Sequence, residues 1–176
     1  SWVLPITAPP LRNGAVLVDD SGRITAVGPD GAVPSPPGVP SERFEDAVLM
    51  PGLVNAHTHL ELTGLGGAVA EGSFPDWLRR LRQEAAEQGV RDSWAAGVTT
   101  VADTGDSGAV IQALAELGGR GVCYHEVFGP HPEQVAESMA GLRSRVGELR
   151  QFTSERVRLG VSPHAPYTVS RELYRE

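Results

Sequence analysis

From residue 53 onward, the chain alternates short apolar runs with longer segments whose apolar residues recur at helical spacing. The short runs predict four strands, at Leu53–Ala56, Gly97–Ala102, Gly121–Phe128 and Val157–Val161. The longer segments predict helices at Phe74–Ala95, Val110–Leu117 and 135–149, with Ser73 capping the first and Ser170 capping a helix near the chain end. This alternation is typical of a parallel sheet, in a barrel or a doubly wound fold.

Glycine-rich phosphate-binding loops would mark the nucleotide-binding version of the doubly wound fold. Neither a Gly-x-Gly-x-x-Gly sequence nor a Walker loop follows any predicted strand. The pattern therefore favours a barrel.

Residues 1–50 have a different pattern. Two short apolar segments, Ala15–Val18 and Ile24–Val27, flank the turn sequence Asp-Asp-Ser-Gly, which predicts a β-hairpin because glycine readily adopts positive φ. The stretch Gly28–Pro40 contains five prolines, which lack the backbone donor that a helix or a central strand needs, so we expect a surface loop. The sequence therefore predicts two domains, a β-rich segment at 1–50 and an α/β segment at 51–176.

The composition restricts the partners that the chain can bind. All 15 basic residues are arginine, 22 residues are acidic, and the formal net charge is −7. Such a chain is a poor ligand for nucleic acid or for an anionic membrane, and no run approaches the roughly 18 apolar residues of a membrane span. The single cysteine, Cys123, excludes an internal disulfide and a cysteine-rich zinc site. Because no signal peptide is recognisable, we expect a cytoplasmic protein.

The sequence His57-Thr58-His59 closes the first predicted strand of the α/β segment. Side chains at positions i and i+2 of a strand point to the same face, so the two imidazoles can bind one divalent metal ion. Histidine is the usual ligand of zinc and iron at catalytic sites. The alternative is a pair of turn or surface histidines with no ligand.

Ionisable residues also follow the other predicted strands, where the active site of a barrel lies. These residues are Asp103 after the second strand, His125 and Glu126 late in the third, and His164 after the fourth. Asp103 has the alternative role of capping the next helix, and His125 that of a core or loop histidine. His131, at a helix start, is expected on the surface. The prolines around His164 favour a positioned side chain.

Three segments together resemble the amidohydrolase superfamily. The segment Pro51–Leu62 resembles its first barrel strand, Gly97–Asp103 its second, and Ser162–Thr168 the fourth-strand loop of its purine and nucleoside deaminases. The N-terminal hairpin is similar to the small β-sandwich that precedes the barrel there. The resemblance implies an α/β fold, namely about four β/α units from the N-terminal part of a (β/α)₈ TIM-like barrel, preceded by a β-sandwich segment.

The resemblance also implies roles for individual residues. His57 and His59 become ligands of one divalent metal ion, with zinc favoured over iron. Two-metal branches commonly use a carboxylated lysine on strand four, whereas this chain has no lysine and ends that strand with His164. This favours the one-metal deaminase branch, in which His164 contacts the substrate, and Glu126 is a second candidate for that role. The catalytic Glu and Asp of the family are expected beyond residue 176.

The implied reaction is hydrolytic deamination of an adenine-type nucleoside, with release of ammonia. The short motifs at Tyr124–Gly129 and His164–Tyr167 are most similar to those of the aminodeoxyfutalosine deaminases, followed by the methylthioadenosine/S-adenosylhomocysteine deaminases. Two alternatives remain open. One is another C–N hydrolase of the superfamily, such as an amidase or a ring-opening enzyme, and the other is a non-catalytic barrel fragment.

The resemblance supplies four of the eight units that a closed barrel needs. We therefore expect the N-terminal portion of a longer enzyme, or a half barrel completed by another chain, and no activity from 176 residues alone. The expected partner is a small-molecule substrate, and a homodimer is compatible with the resemblance.

Overall fold

The computed structural model describes residues 1–64 and 74–176, and the side chains of all these residues except 74–80. The chain divides into two compact units, Ser1–Pro51 and Gly52–Glu176. The predicted N-cap Ser73 lies outside the described residues. Among the helices that are described, none has both the length and the apolar character required to cross a membrane.

The N-terminal unit consists of short strands. The strands are β1 (Trp2–Val3), β2 (Leu11–Arg12), β3 (Gly14–Val18), β4 (Ile24–Pro29) and β5 (Val48–Leu49). They form a three-stranded sheet of order β2–β1–β5 and a two-stranded sheet that pairs β3 with β4. The predicted hairpin is confirmed as the antiparallel β3–β4 pair. Its turn is held by Asp19, whose carboxylate accepts the backbone N–H groups of Ser21 and Arg23, each at 2.9 Å.

The loop predicted at Gly28–Pro40 starts later than expected. Gly28 and Pro29 still belong to β4, and Asp30–Ala32 form a 3₁₀ turn. Proline is tolerated here because β4 pairs only with β3, so Pro29 lies at the end of an edge strand.

The second unit is an α/β structure. Its strands are β6 (Leu53–Thr58), β7 (Val98–Gly105), β8 (Gly121–Val127) and β9 (Val157–Pro163), and its helices are α1 (Phe74–Ala95), α2 (Ala109–Leu117) and α3 (Val135–Leu149). The sheet has the order β6–β7–β8–β9, all neighbouring strands are parallel, and a helix connects each strand to the next. The four predicted strands and the helices predicted at Phe74–Ala95, Val110–Leu117 and 135–149 are therefore confirmed, although β6, β7 and β9 extend beyond their predicted ends.

The core of this unit lies between the sheet and its helices. Its fully buried members include Ala86 and Val90 of α1, Ile111 and Leu114 of α2, and Val101, Cys123 and Val157 of three adjacent strands. Burying these apolar surfaces together provides the main free energy that fixes the helices on the sheet. At the chain end, the predicted helix is only a short turn with Glu172 at its N-cap position, so Ser170 contacts this turn without being its N-cap. Ser170 Oγ accepts the N–H of Leu173 at 3.2 Å, and Leu173–Arg175 form a single 3₁₀ turn.

One close approach shapes the other face of the sheet. Tyr124 of β8 and Gly160 of β9 are paired in register. A Cβ atom added to Gly160 would lie 2.5 Å from Cδ1 of the Tyr124 ring. The absence of a side chain at Gly160 therefore lets the tyrosine ring lie across β9.

Candidate active site

The carboxyl ends of the four parallel strands lie along one edge of the sheet. The histidine pair closes β6, which ends at Thr58, and both imidazoles are exposed. Their ring centroids are 5.2 Å apart, with the ring planes at 84°. The structure therefore places the two imidazole rings side by side at the strand end.

Two imidazoles supply two ligands of the three or four that a protein usually gives to zinc. Within residues 1–64 and the described side chains from 81 onward, no group of three or more His, Cys, Asp or Glu side chains is arranged to hold a metal ion. The donor chemistry of His57 and His59 fits a divalent metal. The described part of the chain supplies only this pair.

His164 lies at the end of β9 in a fixed orientation. Its backbone N–H donates to the carbonyl of Val127 at 3.2 Å, and its ring stacks on Phe128 with 4.7 Å between centroids. Its Nδ1 is 2.8 Å from Thr168 Oγ1, and that hydroxyl donates its only proton to the carbonyl of Ala165 at 3.1 Å. The contact with Thr168 fixes the orientation of the ring through Nδ1, and Nε2 takes no part in it.

Glu126 lies near the end of β8 and is half-buried. Its Oε1 accepts the hydroxyl proton of Thr104 at 2.6 Å, across the β7–β8 pair. This contact orients the carboxylate and leaves its second oxygen available as an acceptor.

Asp103 and His125 do not join the exposed residues. They are 3% and 9% exposed, and both line a cavity of about 20 Å³ together with Ile111 and Leu149 from the helices. Asp103 does not cap α2, so the helix-cap alternative is wrong. Its Oδ2 instead accepts the N–H of Leu60, before α1, at 2.8 Å. Burial raises the pKa of Asp103 to about 7, and the neighbouring Glu61 and Glu126 carboxylates add to this effect.

His125 is a core histidine, which was the alternative considered from the sequence. Its Nδ1 is buried and has no hydrogen-bond partner among the described residues. Burial lowers the pKa of this imidazole, and the positive charge of Arg145 lowers it further. His131 is exposed, as predicted, and lies directly before the 3₁₀ turn Pro132–Gln134.

The sequence did not single out Glu61, which is 5% exposed and lies two residues after His59. Its carboxylate accepts the hydroxyl proton of Ser107, and the guanidinium of Arg145 donates to the carbonyl of Ser107. Burial raises the pKa of Glu61, while the positive charge of Arg82 opposes this shift. The only sequence signal was an acidic residue between two leucines, directly after the histidine pair.

Residues 48–176 match the Amidohydrolase family. The chain therefore belongs to this family, whose members generally use a divalent metal ion. The chain is 34% identical over 172 residues to the aminodeoxyfutalosine deaminase of Deinococcus radiodurans, covering 92% of this chain and 40% of that protein. It is 30% identical over 186 residues to the 5′-deoxyadenosine deaminase of Methanopyrus kandleri, covering 94% and 42%. The chain thus spans about two fifths of the length of these relatives.

Among solved structures, the chain is similar to Helicobacter pylori aminofutalosine deaminase in complex with methylthio-coformycin. The TM-score is 0.77 at 22% sequence identity, and the match covers 99% of this chain and 45% of that one. At this identity the likeness shows a shared fold. It agrees with the α/β, parallel-sheet architecture predicted from the strand–helix alternation.

Proposed function

We propose that this chain belongs to a metal-dependent hydrolytic deaminase that acts on an adenine-type nucleoside and releases ammonia. The observation that carries the proposal is the pair of exposed imidazoles 5.2 Å apart at the end of the first strand of the parallel sheet. Its support is the membership in the amidohydrolase family and the activities for which the relatives in Deinococcus and Methanopyrus are named.

In this proposal His57 and His59 hold one divalent metal ion, zinc rather than iron. Such an ion supplies Lewis-acid activation of water, which makes a nucleophile available near neutral pH. A third protein ligand and the catalytic Glu and Asp implied by the resemblance are not assigned to any described residue. Zinc as the metal, a cytoplasmic location and a homodimer stay predictions from the sequence.

His164 and Glu126 are the proposed substrate contacts. His164 is held by the contact of its Nδ1 with Thr168 Oγ1, and we assign its Nε2 as the acceptor for a donor group of the substrate. Glu126, oriented by Thr104, offers a carboxylate oxygen to a second donor. Amino and hydroxyl groups of a nucleoside are donors of the required kind.

We further propose that residues 51–176 are the first four units of a (β/α)₈ barrel and that residues 1–50 are the β-sandwich segment before it. In a barrel the carboxyl ends of the strands form one face, which carries the active site. The positions of His57, His59, Glu126 and His164 at or near the ends of three strands agree with this arrangement.

The test uses the intact gene product that carries this sequence. Ammonia release would be measured from aminodeoxyfutalosine, 5′-deoxyadenosine and 5′-methylthioadenosine, and bound metal by elemental analysis. We expect turnover of at least one of these adenine nucleosides and about one divalent ion per chain. The double variant His57→Ala/His59→Ala should lose both metal and turnover, whereas His131→Ala, which removes a surface imidazole, should keep both.

Retention of metal and turnover by the double variant would overturn the proposed site. Activity on cyclic amides, with no ammonia released from any aminopurine, would instead establish the alternative of an amidase or ring-opening hydrolase. A folded, intact protein without any metal would support the non-catalytic alternative.

A further inference from the structure

The backbone directly after His59 forms a short 3₁₀ turn, Leu60–Leu62, which we call the post-histidine turn. His59 itself lies between the last residue of β6 and the first residue of this turn, so no strand pairing fixes its position. The N–H groups at the start of a helical turn lack partners within that turn. Asp103 supplies one, because its Oδ2 accepts the N–H of Leu60 at 2.8 Å.

The side chain of Asp103 comes from β7, and 43 residues separate it from Leu60 in sequence. Burial of a carboxyl group is costly unless it is hydrogen-bonded, and Asp103 is 3% exposed. The negative charges of Glu61 and Glu126 further disfavour an ionised carboxylate at Asp103. An apolar residue would satisfy the packing of this position at lower cost, but it would leave the Leu60 N–H without an acceptor.

Two other contacts hold the same turn. Glu61 accepts the hydroxyl proton of Ser107, which follows β7. Gly89 of α1 packs against the turn so closely that an added Cβ would lie 3.0 Å from the carbonyl oxygen of Leu60. The post-histidine turn is therefore held by β7, by the loop after it and by α1, and Asp103 makes the contact nearest to His59.

We propose that Asp103 is a positioning residue for the metal site: by accepting the Leu60 N–H, it fixes the backbone next to His59 and so the direction of the His59 imidazole. This inference rests on the proposed metal site at His57 and His59. The hydrogen bond needs an acceptor atom at this place but not a negative charge. Asparagine should therefore replace aspartate, and leucine, of similar volume but without an acceptor, should not.

The test is a Co²⁺ titration of the intact gene product after chelator treatment, following the visible absorption of the bound ion and its dissociation constant. Asp103→Asn should bind Co²⁺ within about twofold of the wild type, with the same spectrum. Asp103→Leu should bind about tenfold or more weakly, the loss typical when a residue that supports a metal ligand is removed, and with an altered spectrum. Asp106→Ala is the control. It removes an exposed carboxylate directly after β7, which is paired with Arg82 at 3.1 Å, and the variant should bind Co²⁺ as the wild type does.

Circular dichroism and thermal unfolding would establish that each variant is folded. If Asp103→Leu does not fold, Asp103→Ser serves instead, because its hydroxyl is too short to reach Leu60. A folded Leu or Ser variant with wild-type Co²⁺ affinity would overturn the proposal, as would an Asn variant as weak as the Leu variant. If the wild type binds no Co²⁺, the proposed metal site fails, and this inference fails with it. If the wild type binds Co²⁺ and Asp103→Asn binds it more tightly than Asp103→Leu, both the metal site and the role of Asp103 are supported.

Discussion

The exposed histidine pair of β6 and the buried pair formed by Asp103 and His125 differ in environment, although all four residues lie near the carboxyl ends of adjacent strands. His57 and His59 are exposed and close to each other, whereas Asp103 and His125 line a cavity between the sheet and its helices. The comparison teaches that the end of a strand does not by itself place a residue in the site. The face of the strand decides which residues are available to a ligand and which support the fold.

The largest expected effect is on the free energy of unfolding, and it comes from the titration of the buried Asp103 carboxyl. Burial raises the pKa of Asp103 from 3.8 to about 7. At a pH between these two values, the carboxyl is protonated in the folded state and ionised in the unfolded state. The free energy of unfolding therefore falls as the pH rises from about 4 to 7. At about 1.4 kcal/mol for each pKa unit, the loss is on the order of 4 kcal/mol.

Asp103→Asn cannot ionise and should remove this part of the pH dependence. Urea unfolding of chelator-treated protein at pH 5 and pH 8 would measure it. We expect the variant to resemble the wild type at pH 5 and to be more stable at pH 8. An equal difference at both pH values would show that Asp103 does not titrate in this range.

The next largest effect distinguishes the buried His125 from the exposed His57 by their contributions to stability. His125→Ala removes a buried ring and should lower the free energy of unfolding by about 2–4 kcal/mol, as other large-to-small core substitutions do. His57→Ala removes an exposed ring and should change it by less than about 0.5 kcal/mol. Chemical denaturation of both variants without metal measures the contrast, and equal losses would contradict the assigned environments.

A smaller effect concerns the close packing of α1 on the post-histidine turn. In Gly89→Ala the added Cβ would lie 2.6 Å from Oγ1 of Thr63 and 3.0 Å from the carbonyl oxygen of Leu60. Overpacking of this kind costs about 1–3 kcal/mol, despite the better helix propensity of alanine. Thermal unfolding would measure the loss, and Gly147→Ala in α3, where a Cβ would meet nothing within 4 Å, is the matched control.

The smallest effect should follow from Thr104→Val. This change removes the hydroxyl that donates to Glu126 at 2.6 Å and keeps the shape of the side chain. We expect a loss of about 1 kcal/mol in stability and, in the intact enzyme, a rise in KM with less change in kcat, because Glu126 loses its fixed orientation. A fall in kcat alone would contradict the proposed binding role.

Much of the α/β unit could be predicted because its signals are local. The apolar residues of α3 recur at helical spacing, and the positive φ of 75° at Gly118 ends α2 where the sequence places a Gly-Gly pair. The rule that alternate residues of a strand share a face predicted the proximity of His57 and His59, but it applies only to His57, because β6 ends at Thr58 and His59 leads into a turn. These features need no knowledge of the rest of the chain.

The faces of Asp103 and His125 could not be predicted in the same way. Strand β8 carries an ionisable side chain on each face, His125 on one and Glu126 on the other, so its pattern does not reveal which face meets the helices. The register of β6 on β7 shifts between Asn55 and Thr58, the part of the strand that contains His57. The role of Glu61 depends on Ser107, 46 residues away, and no local pattern carries such a contact.

The pairing of Tyr124 with Gly160 has a consequence for the evolution of the family. The tyrosine ring occupies the space that a side chain at position 160 would need. The two positions should therefore covary among homologues, and a residue larger than glycine at 160 should accompany a residue smaller than tyrosine at 124. A larger residue at 160 would therefore be accepted most easily after position 124 has become smaller, because the reverse order creates a collision.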